Sequence, residues 1–89
     1  MAYEAVENID PRDRPGAAVE ERMLGTFASE DEAIEVARSA RRRFAESGRA
    51  DYAWWLVRAP GEMLARWIAD SGSEKEFVLD LRSGELIEY

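Results

Sequence analysis

Residues 29–48 carry the signals for both ends of a single helix, and this stretch constrains the fold more than any other. Ser29 followed by Glu32 makes a capping box, in which the serine hydroxyl accepts from the backbone N–H of the glutamate. Gly48 supplies the left-handed conformation with which many helices end. Five apolar residues recur between these caps at helical spacing and form one stripe: Ala33, Val36, Ala37, Ala40 and Phe44. The sequence therefore predicts a helix over residues 30–47.

The hydrophobic period changes to two after this helix. Residues 52–59 are rich in aromatic and branched side chains and predict a strand, and Pro60 with Gly61 predicts a tight turn into a second strand over 63–69. Four further strands are predicted from shorter alternating segments, over residues 3–9, 18–24, 76–81 and 85–89. The order β-β-α-β-β-β-β is typical of an α+β two-layer sandwich, in which a single helix packs on an antiparallel sheet.

A chain of 89 residues predicts one domain. The signal is weakest in residues 1–16, and two interpretations stay open there: a first strand of the sheet, or a loosely attached N-terminal segment. The longest apolar run, residues 52–57, is far too short for a membrane span, and the acidic N-terminus lacks the basic and apolar regions of a signal peptide. We therefore expect a cytoplasmic protein without a membrane partner.

The residue types exclude several kinds of chemistry. The sequence has no cysteine and no histidine, which removes disulfides, thiolate catalysis, Cys-type metal centres and the commonest general base. It contains no phosphate-binding loop and no dinucleotide fingerprint. Asp80 and Glu88 would be diagonal neighbours in one register of the last hairpin, but such a pair is expected by chance among 19 acidic residues. We predict a non-enzymatic protein with no catalytic residue, cofactor or metal site.

The last hairpin admits two registers. A two-residue loop would set Leu79 opposite Glu88, whereas a three-residue loop with Gly84 as a bulge would set Leu79 opposite Ile87. The second register is preferred because it gathers five apolar side chains on one face: Phe77, Leu79, Leu81, Ile87 and Tyr89.

Three tryptophans and a tyrosine lie within residues 52–67. A tight Pro-Gly turn would place Trp54 opposite Trp67 and Leu56 opposite Ala65. One face of this hairpin would then carry five large side chains: Tyr52, Trp54, Leu56, Met63 and Trp67. The alanine-rich helix stripe suits the opposite face, so the aromatic face is either core, covered by the N-terminal segment or by loops, or an interface.

These five aromatic and apolar residues are the candidate interface. A second copy of the chain is the simplest partner, because a two-fold contact uses the same patch twice, and another protein is the other option. The predicted function is a small protein–protein interaction module that self-associates through this face of its sheet.

Residues 36–66 hold seven arginines against three acidic residues, although the whole chain has a net charge of −7. Arginine beside tryptophan is the chemistry of nucleic-acid binding, so the segment 36–67 predicts an alternative function as an accessory nucleic-acid or nucleotide-binding protein. Its candidate anion contacts are Arg38, Arg41, Arg42 and Arg43. Nucleic acid is the less favoured partner, because the acidic chain lacks a long-range attractive field and pairs such as Glu35 with Arg38 explain a solvated helix face.

Overall fold

The computed structural model describes residues 2–12, 15–62 and 64–89. In these ranges one helix, α1 (Glu30–Ser47), follows two strands and precedes four. The strands are β1 (Tyr3–Asp10), β2 (Glu20–Phe27), β3 (Tyr52–Arg58), β4 (Trp67–Asp70), β5 (Glu76–Leu79) and β6 (Leu86–Glu88). The predicted order and the α+β two-layer architecture are confirmed, since all the strands join one antiparallel sheet and the helix packs against it.

Helix α1 begins and ends where its local signals predict. The hydroxyl of Ser29 accepts from the backbone N–H of Glu32 at 3.1 Å. Gly48 has a φ of 70° and donates its N–H to the carbonyl of Ala45. The buried stripe differs from the predicted one by a single residue, because Ile34 is buried and Val36 is only half-buried.

The first strand lies inside the sheet. The strands follow the order β2-β1-β3-β4-β5-β6, and each neighbouring pair is antiparallel. Strands β2 and β3 therefore run in the same direction on either side of β1, and the connection between them carries α1 over the sheet. The helix contacts β1, β2 and β3. Residues 3–10, where the sequence signal was weak, are thus held by partners on both edges, and Ala5 is fully buried beneath the helix.

The predicted register between β3 and β4 is wrong. Trp67 lies opposite Val57, and Trp54 lies opposite Asp70. The turn at Pro60 forms as predicted. Strand β4, however, begins only at Trp67, and the N–H of the preceding Arg66 donates to the carbonyl of Val57 at 2.6 Å. The pairing is displaced by three residues, an odd number, so Trp67 lies on the opposite face from the predicted one.

Both predicted registers of the last hairpin are also wrong. Leu79 lies opposite Leu86, because four residues separate Asp80 from Glu85 in the turn and Asp80 donates its N–H to the carbonyl of Glu85 at 2.8 Å. The five apolar residues expected on one face are consequently divided between the two faces. Asp80 and Glu88 also fall on opposite faces, so they form no carboxylate pair.

Candidate interaction face of the sheet

The sheet has one face beneath α1 and one face that no helix or second sheet covers in the described part of the chain. We call the second of these the open face. Strand β3 shows the division, since Ala53, Trp55 and Val57 are buried in the core with the helix, while the side chains between them are half-buried on the open face.

Five apolar side chains lie in line across the open face, one from each of five neighbouring strands. Met23 lies opposite Val6, Val6 opposite Leu56, Leu56 opposite Ile68, and Ile68 opposite Phe77. Directly opposed residues of a sheet point to the same face and contact each other. These five residues are called the apolar row.

The apolar row is only partly shielded. Met23 is 45% exposed at its outer end, Leu56, Ile68 and Phe77 are half-buried, and Val6 is buried between larger neighbours. Val6 is absent from the core cluster beneath the helix, as its position on the open face requires. The row therefore offers apolar surface on either side of the buried Val6, at Met23 and across Leu56, Ile68 and Phe77.

Two pairs of polar side chains beside the apolar row are bonded to each other within the chain. Arg58 donates from Nε to Oε1 of Glu4 at 2.8 Å, and these residues lie opposite each other. On the other side of the row, the hydroxyl of Tyr52 donates to Oδ2 of Asp70 at 2.9 Å. Burial and this hydrogen bond raise the pKa of Tyr52 above its ordinary value. Satisfied polar groups of this kind can be covered by a partner at a low desolvation cost.

The structure divides the five predicted interface residues. Tyr52, Trp54 and Leu56 lie on the open face, where the rings of Tyr52 and Trp54 are 5.8 Å apart. Trp67 is fully buried beneath the helix, so its assignment to this face is wrong. Met63 lies outside the described residues. Sequence reasoning missed Met23, Val6, Ile68 and Phe77, because only the strand order and register bring them to one line.

Two tryptophans belong to the core and each has a glutamate partner. Trp55 donates from Nε1 to Oε1 of Glu7 at 3.0 Å, and its ring meets Phe44 edge to face at 5.5 Å. Trp67 donates from Nε1 to Oε1 of Glu76 at 2.8 Å. These bonds satisfy the two indole N–H groups, which explains how a small core accommodates both rings.

Glu76 is also the partner of Arg38, which lies on α1. Arg38 donates from Nε to Oε1 of Glu76 at 2.9 Å, and it pairs with Glu35 at 2.6 Å. Burial raises the pKa of Glu76, but the hydrogen bonds from Arg38 and Trp67 lower it by more, so the pKa lies below its ordinary value. The hydrogen bond to Glu76 is likewise the largest cause that raises the pKa of Arg38.

The candidate anion contacts have different surroundings. Arg38 is paired as described, Arg41 donates to the backbone carbonyls of Asp70 and Ser73, and Arg42 donates to the hydroxyl of Ser39 at 3.1 Å. Arg43 is exposed and makes no hydrogen bond or ion pair to the described residues. Three of these four arginines therefore use their guanidinium groups within the chain.

No exposed indole lies beside these arginines. Trp55 and Trp67 are fully buried, and Trp54 lies on the open face, across the sheet from α1. Base stacking requires an accessible ring, so the structure brings the arginines together without the aromatic surface that the alternative function needs.

A cleft of about 680 Å³ lies at the C-terminal end of α1, beside the connection between β4 and β5. Phe44 and Trp55 are among its lining residues, with Arg41, Arg42 and Arg49. Its walls carry an equal number of carboxylates, from Asp51, Asp70 and Glu74. Arg49 pairs with one of these, at 2.5 Å from Asp51. The cleft therefore has no excess of positive charge with which to attract an anion.

Comparison of the chain with models of protein families, with curated proteins and with solved structures finds no match. Within the described ranges, no helix is both long and apolar enough to cross a lipid bilayer. The same ranges contain no cluster of three or more acidic side chains arranged to hold a metal ion. Any statement about function therefore depends on the geometry of the chain itself.

Proposed function

We propose that the protein is a small interaction module that forms a homodimer through the open face of its sheet. The apolar row carries this proposal, because it crosses five strands on a face that has no second layer in the described part of the chain. Contiguous apolar surface of this kind is uncommon on monomeric proteins unless it meets a partner.

The size of the open face suits a stable interface. Six strands spaced by about 4.8 Å give a width of about 29 Å, and strands of this length give a flat area of about 500 Å². Side-chain relief raises the accessible area above that figure, toward the roughly 800 Å² that each partner contributes to an interface of standard size.

A second copy is the partner that the charges favour. The net charge of −7 would oppose association if the acidic groups met across the contact. On the open face, however, Glu4 is neutralised by Arg58, and Asp70 is hydrogen bonded by Tyr52. Two apolar rows can then meet around a two-fold axis with both of these carboxylates still bonded within their own chain.

The edge of β2 is a poor alternative route to self-association. Its ladder is interrupted at Leu24, where Ala5 pairs with Gly25 and the next residue pairs with Met23. Bulges and charged side chains are the usual protection of an edge strand, and β2 begins with Glu-Glu-Arg. This contrast favours association through the face of the sheet.

A matched pair of variants tests the proposal. Met23 is 45% exposed on the open face, and Ile87 is 47% exposed on the opposite face of the same sheet. We expect the wild type and Ile87→Glu to run as dimers at about 50 µM, and Met23→Glu to run as a folded monomer. Light scattering after size exclusion measures the mass, and circular dichroism checks the fold.

Two results would contradict the homodimer. One is a wild type that stays monomeric at this concentration, and the other is a dimer that Met23→Glu and Ile87→Glu weaken equally. Oligonucleotide binding at about 50 mM salt that falls steeply as salt increases would instead support the nucleic-acid alternative.

A further inference from the structure

Strand β6 forms one edge of the sheet, and all of its residues are exposed. Of the seven large hydrophobic residues that are exposed in the described ranges, four lie in the last nine positions. They are Leu81, Leu86, Ile87 and Tyr89. The main packing of α1 is against β1, β2 and β3, so this end of the sheet lies beside the helix and not beneath its main contacts. The β6 edge is thus a second apolar surface, distinct from the apolar row.

The backbone of β6 has hydrogen-bonding groups directed away from the sheet. Asp80 donates its N–H to the carbonyl of Glu85, and Tyr89 likewise donates back to β5, both at 2.8 Å. Bonded and non-bonded pairs alternate along an antiparallel ladder. Leu86 and Glu88 occupy the non-bonded positions, so their N–H and C=O groups point outward from the edge.

The side chains of β6 follow a symmetric pattern of charge. Residues 85–88 read Glu-Leu-Ile-Glu, so two adjacent apolar residues are flanked by two carboxylates. Leu86 points to the open face and Ile87 to the opposite face. Unlike β2, this edge has no bulge in its register, and it carries neither lysine nor proline.

We infer that the β6 edge binds an extended peptide as a seventh strand, and that this peptide carries two adjacent apolar residues flanked by lysine or arginine. The outward N–H and C=O groups of Leu86 and Glu88 supply the main-chain bonds, as in other cases of strand addition. Apolar residues of the peptide contact Leu86 and Ile87, and its cations pair with Glu85 and Glu88. Because the pattern is symmetric, it suits either strand direction.

A second copy of the chain fits this edge poorly. The outward groups of Leu86 and Glu88 permit antiparallel registers that set either Ile87 or Leu86 opposite the same residue of the other copy, and in both registers a glutamate of this edge lies opposite an apolar residue. Neither carboxylate then meets a cation, and each copy carries a net charge of −7. Charge complementarity therefore selects a basic peptide rather than another acidic edge.

The test uses the fluorescein-labelled peptide Thr-Lys-Val-Leu-Lys-Thr with blocked ends, and a control peptide in which both lysines are replaced by glutamate. We expect saturable binding of the basic peptide to the full chain, measured by fluorescence anisotropy, and binding of the acidic peptide that is at least tenfold weaker. Absence of saturable binding at millimolar protein concentration, or equal binding of the two peptides, would overturn the inference.

Two variants at one position separate the backbone contribution from the charge. Glu88→Pro removes an outward N–H without removing a bond to β5, and proline is tolerated at such an edge position. Glu88→Gln keeps the N–H and removes the charge. We expect Glu88→Pro to abolish saturable binding and Glu88→Gln to weaken it by about two- to fivefold, with circular dichroism of both variants unchanged. Equal affinity of Glu88→Pro and the wild type would overturn the assignment to this edge.

Repeating the titration with Met23→Glu separates this inference from the homodimer. Met23 lies on β2 at the far edge of the sheet, so peptide binding should persist in that variant. If Glu88→Pro converts a wild-type dimer into a monomer, then the occupant of the β6 edge is a second copy, and the peptide inference is overturned.

Discussion

Trp67 and Arg38 donate to the same carboxylate oxygen of Glu76, at 2.8 Å and 2.9 Å. This oxygen joins a fully buried indole of β4 to a cation of α1, and thereby links the helix to β4 and to β5, which carries Glu76. The ring of Tyr89 lies under the Arg38 guanidinium at 5.3 Å, so the same cation reaches the end of the chain.

Glu76→Ala should destabilise the fold by about 2 kcal/mol, because it leaves a buried indole N–H without an acceptor and removes a charge-assisted bond. Urea unfolding followed by tryptophan fluorescence measures the change. Glu74→Ala is the matched control, since Glu74 is an exposed glutamate two residues away. Equal midpoints for the two variants would show that the Glu76 bonds do not contribute to stability.

The contribution of Glu76 should decrease in acid. Its pKa is lower in the folded chain than in the unfolded one, so the folded state binds its proton less readily. The stabilisation is therefore complete above the ordinary pKa of 4.5 and is lost as the pH falls through the lower folded value. We expect the stability difference between the wild type and Glu76→Gln to be larger at about pH 7 than at about pH 3. A difference independent of pH would contradict the assignment.

Trp67 and Trp54 should respond differently to truncation. Trp67 is fully buried and Trp54 is half-buried on the open face. Trp67→Ala should cost about 3–5 kcal/mol, close to the whole stability of a domain of this size, and should leave the chain largely unfolded. Trp54→Ala should remain folded, with a loss below about 2 kcal/mol. Circular dichroism and urea titration distinguish these outcomes, and a folded Trp67→Ala protein would contradict the register of β4.

Ser29→Ala should cost about 1 kcal/mol, because the N–H of Glu32 then loses its acceptor at the helix N-terminus. Ser39→Ala serves as the control within the same helix, since alanine is the stronger helix former and Ser39 accepts only from an exposed arginine. The denaturant midpoints of the two variants provide the comparison. A midpoint for Ser29→Ala equal to that of Ser39→Ala would show that the cap contributes nothing.

Helix α1 could be predicted to the residue because its signals are local. The capping residues act on backbone groups within one turn of their own positions, and they are Ser29, Glu32 and Gly48. The alanine stripe is visible from the helical spacing of the apolar residues alone. The number and order of strands were likewise accessible from alternation and turn residues. For the candidate site, the sequence indicated that both faces of β3 are apolar and placed Tyr52, Trp54 and Leu56 together.

Only the tertiary structure decided which aromatic residues are buried and which residues of the other strands lie beside Leu56 on the open face. The register of β4 depends on the bond from the N–H of Arg66 to the carbonyl of Val57 and on the bond from Trp67 to Glu76. The same carboxylate is held by Arg38 of the helix, which is distant in sequence. Since side chains of a strand alternate, a displacement by an odd number of residues moves every one of them to the other face. The position of Met23 on the open face could not be predicted from the sequence either. Its place beside Val6 depends on strand order and on a bulge that no local pattern indicates.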